Sequence, residues 1–337
     1  MNRNIKAYPA SLSVASLVVI IAGLKWAQAL VLPILLALFI SILSMPLLFW
    51  FKKKKLYTAL ALLIIMCLLV FIFSIFGTII AVSAGDLVDN IPFYEDQLVN
   101  KFGLFYQQFS QYGIDLQRIN IQEFINPASA FQYLSVGVKQ VGNVFAQSLL
   151  ILIIVAFILL EAAHIYCKAD GKSSHQNLKK IMAFINKVNQ YMAIKTVISF
   201  ATGLLVTIFL MIMDIHYPVL WGLLAFILNF VPNVGSIIAS VPAFLLAIIQ
   251  YNFSIGFVVL LAYLVINFVI GNIIEPNYMG DQLGVMPLII ILSLIFWGWI
   301  FGAVGMLLAV PLTIIVKFGL ESAESTRWVA NLMEGSK

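Results

Sequence analysis

Charged residues are scarce in this chain of 337 residues. They make up 10% of it, whereas an average soluble domain carries about 25%. Hydrophobic residues reach 63%, against roughly 45–50% in soluble domains. The 14 acidic and 19 basic side chains are too few to solvate the surface of a soluble protein of this size. The composition therefore excludes an ordinary soluble domain.

The missing charges are concentrated in long uncharged runs. Residues 215–274 contain no Asp, Glu, Lys or Arg over 60 positions, and residues 282–316 contain none over 35. Shorter runs of the same kind cover 56–82 and 26–51. A helix needs about 20 apolar residues to cross a bilayer, so the longer runs hold several crossings or folded-back pairs. The strands of a membrane barrel alternate apolar and polar residues, which these runs do not. The sequence predicts an all-α, polytopic helical membrane protein.

The chain also lacks the residue groups that several kinds of chemistry require. Its two cysteines, Cys67 and Cys167, match neither a disulfide framework nor a zinc ribbon. Residues 171–173 resemble the end of a phosphate loop, but the glycine five positions earlier is missing. His164 and His175 have no standard zinc spacing with Cys167. We therefore predict no metal, no cofactor and no enzyme activity, and transport that is passive or ion-coupled.

The net charge of +5 comes from lysines beside the apolar runs. Residues 52–55 are four lysines, and 168–195 holds six bases against one acid, whereas 83–145 holds three bases against six acids. Basic loops remain on the cytoplasmic side of a membrane. We predict that 52–55, 168–195 and both termini are cytoplasmic and that 83–145 is external. This placement favours a lipid bilayer over nucleic acid as the partner of the basic residues.

The pattern divides the chain into five segments. They are N-terminal membrane helices over 1–82, an external amphipathic helical segment over 83–145, a membrane helix plus a cytoplasmic interfacial helix over 146–195, a C-terminal membrane core with motif-bearing hairpins over 196–317 and a cytoplasmic tail over 318–337. Apolar residues recur every three or four positions in the external segment. Its helices either lie on the membrane surface, pack against a neighbouring subunit or form a small external cap. A similar apolar stripe predicts the interfacial helix: Leu178, Ile181, Ile185, Val188 and Met192.

Polar residues and helix breakers within the longest uncharged run are candidate functional residues. Asn229, Pro232, Asn233 and Gly235 interrupt residues 215–274. Polar side chains are costly to bury in a bilayer, and non-helical backbone is tolerated there only inside protein or beside water. The cluster therefore indicates either a break that lines a substrate pathway or a simple kink between two packed helices.

A second polar cluster follows in the same run. Asn267 and Asn272 precede Glu275-Pro276. A residue before proline is disfavoured in a helix, so we predict that the helix ends at Glu275. As the only acid in 215–280, Glu275 is either a carboxylate at an interfacial helix end or a group that binds a proton or cation. We assign both clusters, including Pro276, to a substrate pathway or to coupling.

The C-terminal half contains an internal repeat. Residues 234–242 and 304–311 align with one residue skipped, within the uncharged stretches 219–251 and 287–316. Each stretch suits two half-crossings joined by a glycine turn, or one long tilted crossing. As re-entrant hairpins they would reverse near 232–235 and 298–305, with inverted orientation and meeting tips. Glycines and prolines in or near the second stretch are assigned to helix packing or hinges: Gly280, Gly284, Pro287, Gly298, Gly302, Gly305 and Pro311.

Two motifs resemble the signature of the autoinducer-2 exporter family of bacterial permeases. They are VPNVGSIIASVP at 231–242 and GNIIEPNYMG at 271–280, and the likeness continues through Phe301-Gly302 to Ala309-Val-Pro311. Trp297-Gly-Trp299 is similar to the branch that contains the exporter itself. The resemblance implies a bacterial inner-membrane transporter with about eight membrane segments, in which the regions 232–235 and 275–276 are functional.

Three functions remain open at this point. The first is secondary export of a small polar signalling molecule such as autoinducer-2, used in quorum sensing, through a cavity beside 229–235. The second is sodium(lithium)/proton antiport with Glu275 as the exchanging carboxylate. The third is a non-transporting membrane scaffold that uses the external helices. We also expect a homo-oligomer, with a small polar solute and protons or sodium as partners.

Overall fold

The computed structural model describes residues 7–90, 93, 94, 97, 147–169, 176–232, 234–279, 285–322 and 326–334. These residues form helices joined by short turns, and none of them lies in a strand. The helices are α1 (Ala7–Trp26), α2 (Gln28–Lys53), α3 (Thr58–Asp89), α4 (Ser148–Ala169), α5 (Gln176–Ile212), α6 (Pro218–Leu228), α7 (Val234–Gln250), α8 (Phe253–Phe268), α9 (Glu275–Met279), α10 (Pro287–Leu307), α11 (Ala309–Ser322) and α12 (Arg327–Leu332).

Six segments of the described chain are long and apolar enough to cross a membrane: Gln28–Lys53, Thr58–Leu87, Ser148–Ile165, Val188–Ile212, Phe253–Tyr278 and Pro287–Leu307. Helices α6 and α7 are equally apolar but shorter. The prediction of a polytopic helical membrane protein is therefore confirmed. Most of the predicted external segment, and the loop 170–175, lie outside the described residues.

The chain is organised in two compact units. One draws its described residues from 1–65, 150–192 and 281–337, and the other from 66–149 and 193–280. Each unit contains a helical hairpin. We call α6–α7 the first hairpin and the pair formed by α10 and α11 the second hairpin.

The first hairpin reverses the chain completely. The backbone N–H of His216, just before α6, donates to Oε1 of Gln250, the last residue of α7, over 3.0 Å. Residues this far apart in sequence would be separated by about 50 Å along a straight helix. The reversal lies between Leu228 and Val234, so the turn predicted near 232–235 is confirmed.

The turn of this hairpin depends on residues that cannot continue α6. The N–H of Val231 bonds to the carbonyl of Leu228 over 2.8 Å, which tightens the end of the helix. Pro232 then offers no N–H to extend the hydrogen-bond ladder. At the start of α7, a Cβ on Gly235 would overlap the carbonyl of Leu228. Glycine is therefore required at the start of α7, where it lies against the end of α6.

The second hairpin reverses at Gly302, within α10, so its first arm is the part of α10 before Gly302 and its second arm is the rest of α10 together with α11. The φ of 66° and ψ of −148° at Gly302 belong to a region that essentially only glycine adopts. The indole Nε1 of Trp297 donates to Oγ1 of Thr313 over 3.2 Å, although these residues would lie about 24 Å apart along a straight helix. A Cβ on Gly305 would overlap the carbonyl of Trp297. The second predicted reversal is thus also present. In both hairpins a glycine that follows the turn, Gly235 or Gly305, lies against a backbone carbonyl that precedes the turn.

The other residues assigned to packing or hinges have different positions. Gly298 packs against the methionine eight positions later, whereas a Cβ on Gly302 would meet nothing within 4 Å, so Gly302 serves the turn alone. Pro287 is the first residue of α10, where a missing N–H is tolerated. Pro311 is buried near the start of α11. Gly280 and Gly284 lie outside the described residues, and an inverted arrangement of the two hairpins stays a prediction.

The helix after the first hairpin does not end at Glu275, so that prediction was wrong. Glu275 has helical angles, φ −57° and ψ −47°, and α9 continues to Met279. Between α8 and α9 lies a six-residue π-helical segment, Val269–Ile274. Pro276 lacks an N–H, and its ring would strike a carbonyl of the preceding turn in a regular α-helix. The wider π turn, with bonds five residues apart, relieves this conflict.

Helices α5 and α6 approach closely at two glycines. A Cβ on Gly203 would lie 2.6 Å from the carbonyl oxygen of Gly222 and 2.8 Å from Cβ of Phe226. A Cβ on Gly222 would overlap the hydroxyl of Thr207. This crossing fixes α6, and with it the first hairpin, against α5.

Replacing Gly203 by Ala should destabilise the protein, because the added methyl group has no space at this crossing. Overpacking of this kind costs about 1–3 kcal/mol, which thermal unfolding of the detergent-purified chain would register as a lower Tm. Gly85→Ala in α3 is the control, since a Cβ there would meet nothing within 4 Å. Equal Tm values for Gly203→Ala and the unsubstituted protein would contradict the close crossing.

Candidate functional site

A cavity of about 550 Å³ lies at the tip of the first hairpin. Residues of α5, the hairpin turn, the start of α7 and the continuous α8–α9 helix line it. They are Lys195, Asn229, Val231, Pro232, Ser236, Ile237, Leu264, Val265, Asn267, Phe268, Gly271, Asn272 and Glu275.

Five residues assigned from sequence to a pathway or to coupling line this cavity. Asn229 and Pro232 come from the hairpin turn, whereas Asn267, Asn272 and Glu275 come from the helix that follows. The two polar clusters lie about 40 positions apart in the sequence. The return of α7 toward α8 therefore brings them to one place.

Of the other three assigned residues, two do not line the cavity. Gly235 is buried where α6 and α7 separate. Pro276 is exposed one position after Glu275. Asn233 lies outside the described residues.

One face of α5 holds the hairpin tip through a polar contact. The amide Nδ2 of Asn229 donates to Oγ of Ser199 over 3.0 Å, and Ser199 is fully buried. Ser199 lies one helical turn after Lys195, so both side chains are on the same face of α5. Thus α5 supplies a neutral partner for the hairpin turn and a charged group for the cavity.

The charged group forms an ion pair inside the cavity. Nζ of Lys195 lies 2.6 Å from Oε1 of Glu275, and the two side chains are 3% and 21% exposed. Two charges removed from water are costly, and mutual pairing compensates for much of that cost. Glu275 is therefore neither a simple helix end nor an isolated carboxylate.

Sequence reasoning missed Lys195, because it was grouped with the other lysines of 168–195 as part of a cytoplasmic basic loop. A signal for its burial was nevertheless present. The apolar stripe that ends at Val188 and Met192 continues at the same spacing to Lys195 and Ser199. A lysine on the apolar face of a helix is buried with that face, and it then needs a partner.

The base of the first hairpin is held by a separate cluster. The hydroxyl of Tyr94 lies 3.0 Å from Nδ1 of His216, and the indole of Trp221 donates to the carbonyl of His216 over 3.0 Å. Burial, reinforced by the neighbouring hydroxyl of Tyr217, raises the pKa of Tyr94 above its usual value, so its phenol stays neutral. This cluster anchors the hairpin at the end opposite the cavity.

The lining of the cavity suits a small polar solute. Among the described residues that line it, Lys195 and Glu275 are the only charged ones, and their two charges compensate each other. Three amide side chains and the hydroxyl of Ser236 supply hydrogen-bond donors and acceptors, while the remaining lining is largely apolar. Such a lining can bind an uncharged molecule that carries several hydroxyl or carbonyl groups.

Comparisons with known proteins agree on one family. A family model described as AI-2E family transporter matches residues 14–324. The AI-2 transport protein TqsA of Escherichia coli is 34% identical over 319 residues, which are 94% of this chain and 93% of that protein. A putative transport protein of Haemophilus influenzae is 35% identical over 99% of this chain and 98% of its own. A sodium-lithium/proton antiporter of Halobacillus andaensis is 22% identical over 88% and 90%.

Proposed function

Because this chain belongs to the AI-2E transporter family, and is thus a multi-pass membrane transporter, we propose that it exports a small polar signalling molecule such as autoinducer-2. Export would proceed as secondary transport across a bacterial inner membrane, in support of quorum sensing. The observation that carries the proposal is the cavity of about 550 Å³ at a helix break within a long uncharged stretch. The likeness to TqsA supports the substrate.

In this proposal the amides recognise the solute, and the hairpin turn shapes its site. Asn229, Asn267 and Asn272 hydrogen-bond its hydroxyl and carbonyl groups, while Pro232 keeps the end of α6 open toward the cavity. The assignment of Asn233 and Pro276 to the same pathway stays a prediction. Both termini are cytoplasmic in this arrangement, in keeping with the lysines of 52–55 and those of 168–187. Homo-oligomer formation and the coupling ion stay predictions.

Solute flux from proteoliposomes tests the proposal. We expect Asn267→Ala and Asn272→Ala each to lower efflux of labelled autoinducer-2 by about fivefold, since one lost hydrogen bond is worth about 1 kcal/mol. Asn277→Ala is the matched control, because Asn277 is exposed and does not line the cavity. Efflux that both cavity variants leave unchanged would contradict transport through this site.

A second candidate function is sodium(lithium)/proton antiport. Glu275 places a carboxylate in the cavity, and the chain is similar to an antiporter from Halobacillus andaensis. Exchange of this kind would acidify or alkalinise proteoliposomes when a Na⁺ gradient is imposed, and a pH-sensitive dye would record it. A dye signal that depends on Glu275, without solute flux, would favour this candidate over export.

A further inference from the structure

Recognition of an uncharged solute does not by itself account for the Lys195–Glu275 pair. Amides and hydroxyls suffice for that task, whereas charged side chains at membrane depth are costly and are typically functional. Residues of α5, the hairpin turn, α7 and the α8–α9 helix line the cavity, and the lining residues that the structure describes carry no other charge. The pair therefore needs an explanation of its own.

We propose that Lys195 is a built-in counter-ion that keeps alkali cations out of the cavity. Its ammonium occupies the position beside Oε1 of Glu275 that a Na⁺ or Li⁺ ion would otherwise take. Lys195 thus determines specificity: with it the site accepts a neutral solute, and without it the site binds a cation. The inference rests on the proposed function, solute transport through this cavity.

The geometry of the pair supports this assignment. The separation of 2.6 Å between Nζ and Oε1 leaves no space for an ion between them. Lys195 is 2% exposed, so its ammonium is shielded from bulk water. The contact is therefore held by α5, not by a flexible surface side chain.

The surroundings of Glu275 would suit a cation once the ammonium is removed. The amides of Asn267 and Asn272 and the hydroxyl of Ser236 line the same cavity. Carboxylate, carbonyl and hydroxyl oxygens are the ligands that hard cations prefer. Lys195→Met removes the charge and keeps most of the length of the side chain, so the cavity should keep its shape while the carboxylate loses its counter-ion.

Cation binding to the purified full-length protein in detergent tests the inference. We expect Lys195→Met to bind ²²Na⁺ on the order of tenfold more tightly than the unsubstituted protein, with displacement by unlabelled Li⁺. Na⁺ and Li⁺ should also raise its Tm relative to choline at equal ionic strength, since a ligand of the folded state stabilises it. Lys195→Arg retains the charge, and Lys195→Met/Glu275→Gln lacks the carboxylate, so neither should respond.

Three outcomes would overturn the inference. They are no cation response in Lys195→Met, an equal response in the unsubstituted protein, or a response that persists in the double variant. If Lys195→Met does not fold, Lys195→Gln replaces it with the same expectations. Binding is read without flux, so the two proposals fail separately. If the protein shows no solute efflux but Lys195→Met binds cations, only the proposed function is contradicted. If the protein shows solute efflux but Lys195→Met does not bind cations, only the role of Lys195 is contradicted.

Discussion

Glu275→Gln should lower the free energy of unfolding by on the order of 3 kcal/mol, although it removes a charge from an apolar stretch. From the sequence alone, this substitution is expected to reduce transport and to spare insertion into the membrane. The structure adds the buried ammonium of Lys195, which the substitution leaves without a compensating charge. A buried charge that loses its partner destabilises a fold more than the pair itself stabilises it.

A double-mutant cycle in detergent measures this effect. Glu275→Gln and Lys195→Met should each lower the Tm in choline buffer, and the double variant should recover most of the loss because no buried charge is left unpaired. Glu321→Gln is the control for the same chemical change. That carboxylate is 42% exposed beside Lys317, which also pairs with Glu334, so its removal should cost less than about 1 kcal/mol. Strictly additive losses in the cycle would show that the two groups do not interact.

Gly235→Ala should reduce solute efflux by at least about tenfold, because the first hairpin cannot close around a methyl group at this position. The new Cβ would overlap the carbonyl of Leu228, so α7 must shift away from α6. Ser236 and Ile237, which follow directly and line the cavity, would shift with it. Even a displacement of about 1 Å in a binding site can cost a factor of a hundred in rate.

Efflux per correctly inserted molecule is the relevant measurement for this variant, with the amount in the membrane determined separately. Gly319→Ala is the control, because a Cβ there would meet nothing within 4 Å and alanine favours a helix over glycine. Unchanged efflux in Gly235→Ala would mean that the turn of the first hairpin accommodates the methyl group and that the cavity keeps its shape.

Much of the site was accessible from sequence because membrane segments make polar residues conspicuous. Asn229, Asn267, Asn272 and Glu275 stand out as polar residues within uncharged runs, and each was identified on that ground alone. Their convergence on one cavity depends on the path of α7 and α8, which composition does not specify. Lys195 was missed for the opposite reason, because lysines are common in the preceding helix and only its register on the apolar face distinguishes it.

The two hairpins and the helix around Glu275 show what backbone rules predict and where they fail. Glycine and proline within runs too long for one crossing predicted reversals near 232–235 and 298–305. The structure turns between Leu228 and Val234 and at Gly302. The rule that a residue before proline is disfavoured in a helix predicted a helix end at Glu275, and that prediction was wrong. A π-helical turn there absorbs the proline by widening the helix, and no residue type in Val269–Ile274 marks such a turn in advance.

The short length of α6 has a consequence for how the protein is made. With 11 residues, α6 is about half as long as a bilayer-crossing helix, so it is not a stable membrane segment when it first leaves the ribosome. Stable insertion must await α7, whose last residue bonds back to His216 and closes the pair. In nascent chains that end at residue 232, α6 should therefore remain accessible to water-soluble reagents, although the preceding helices already hold the chain in the membrane. Chains that extend beyond residue 250 should insert α6 and α7 together as a single unit.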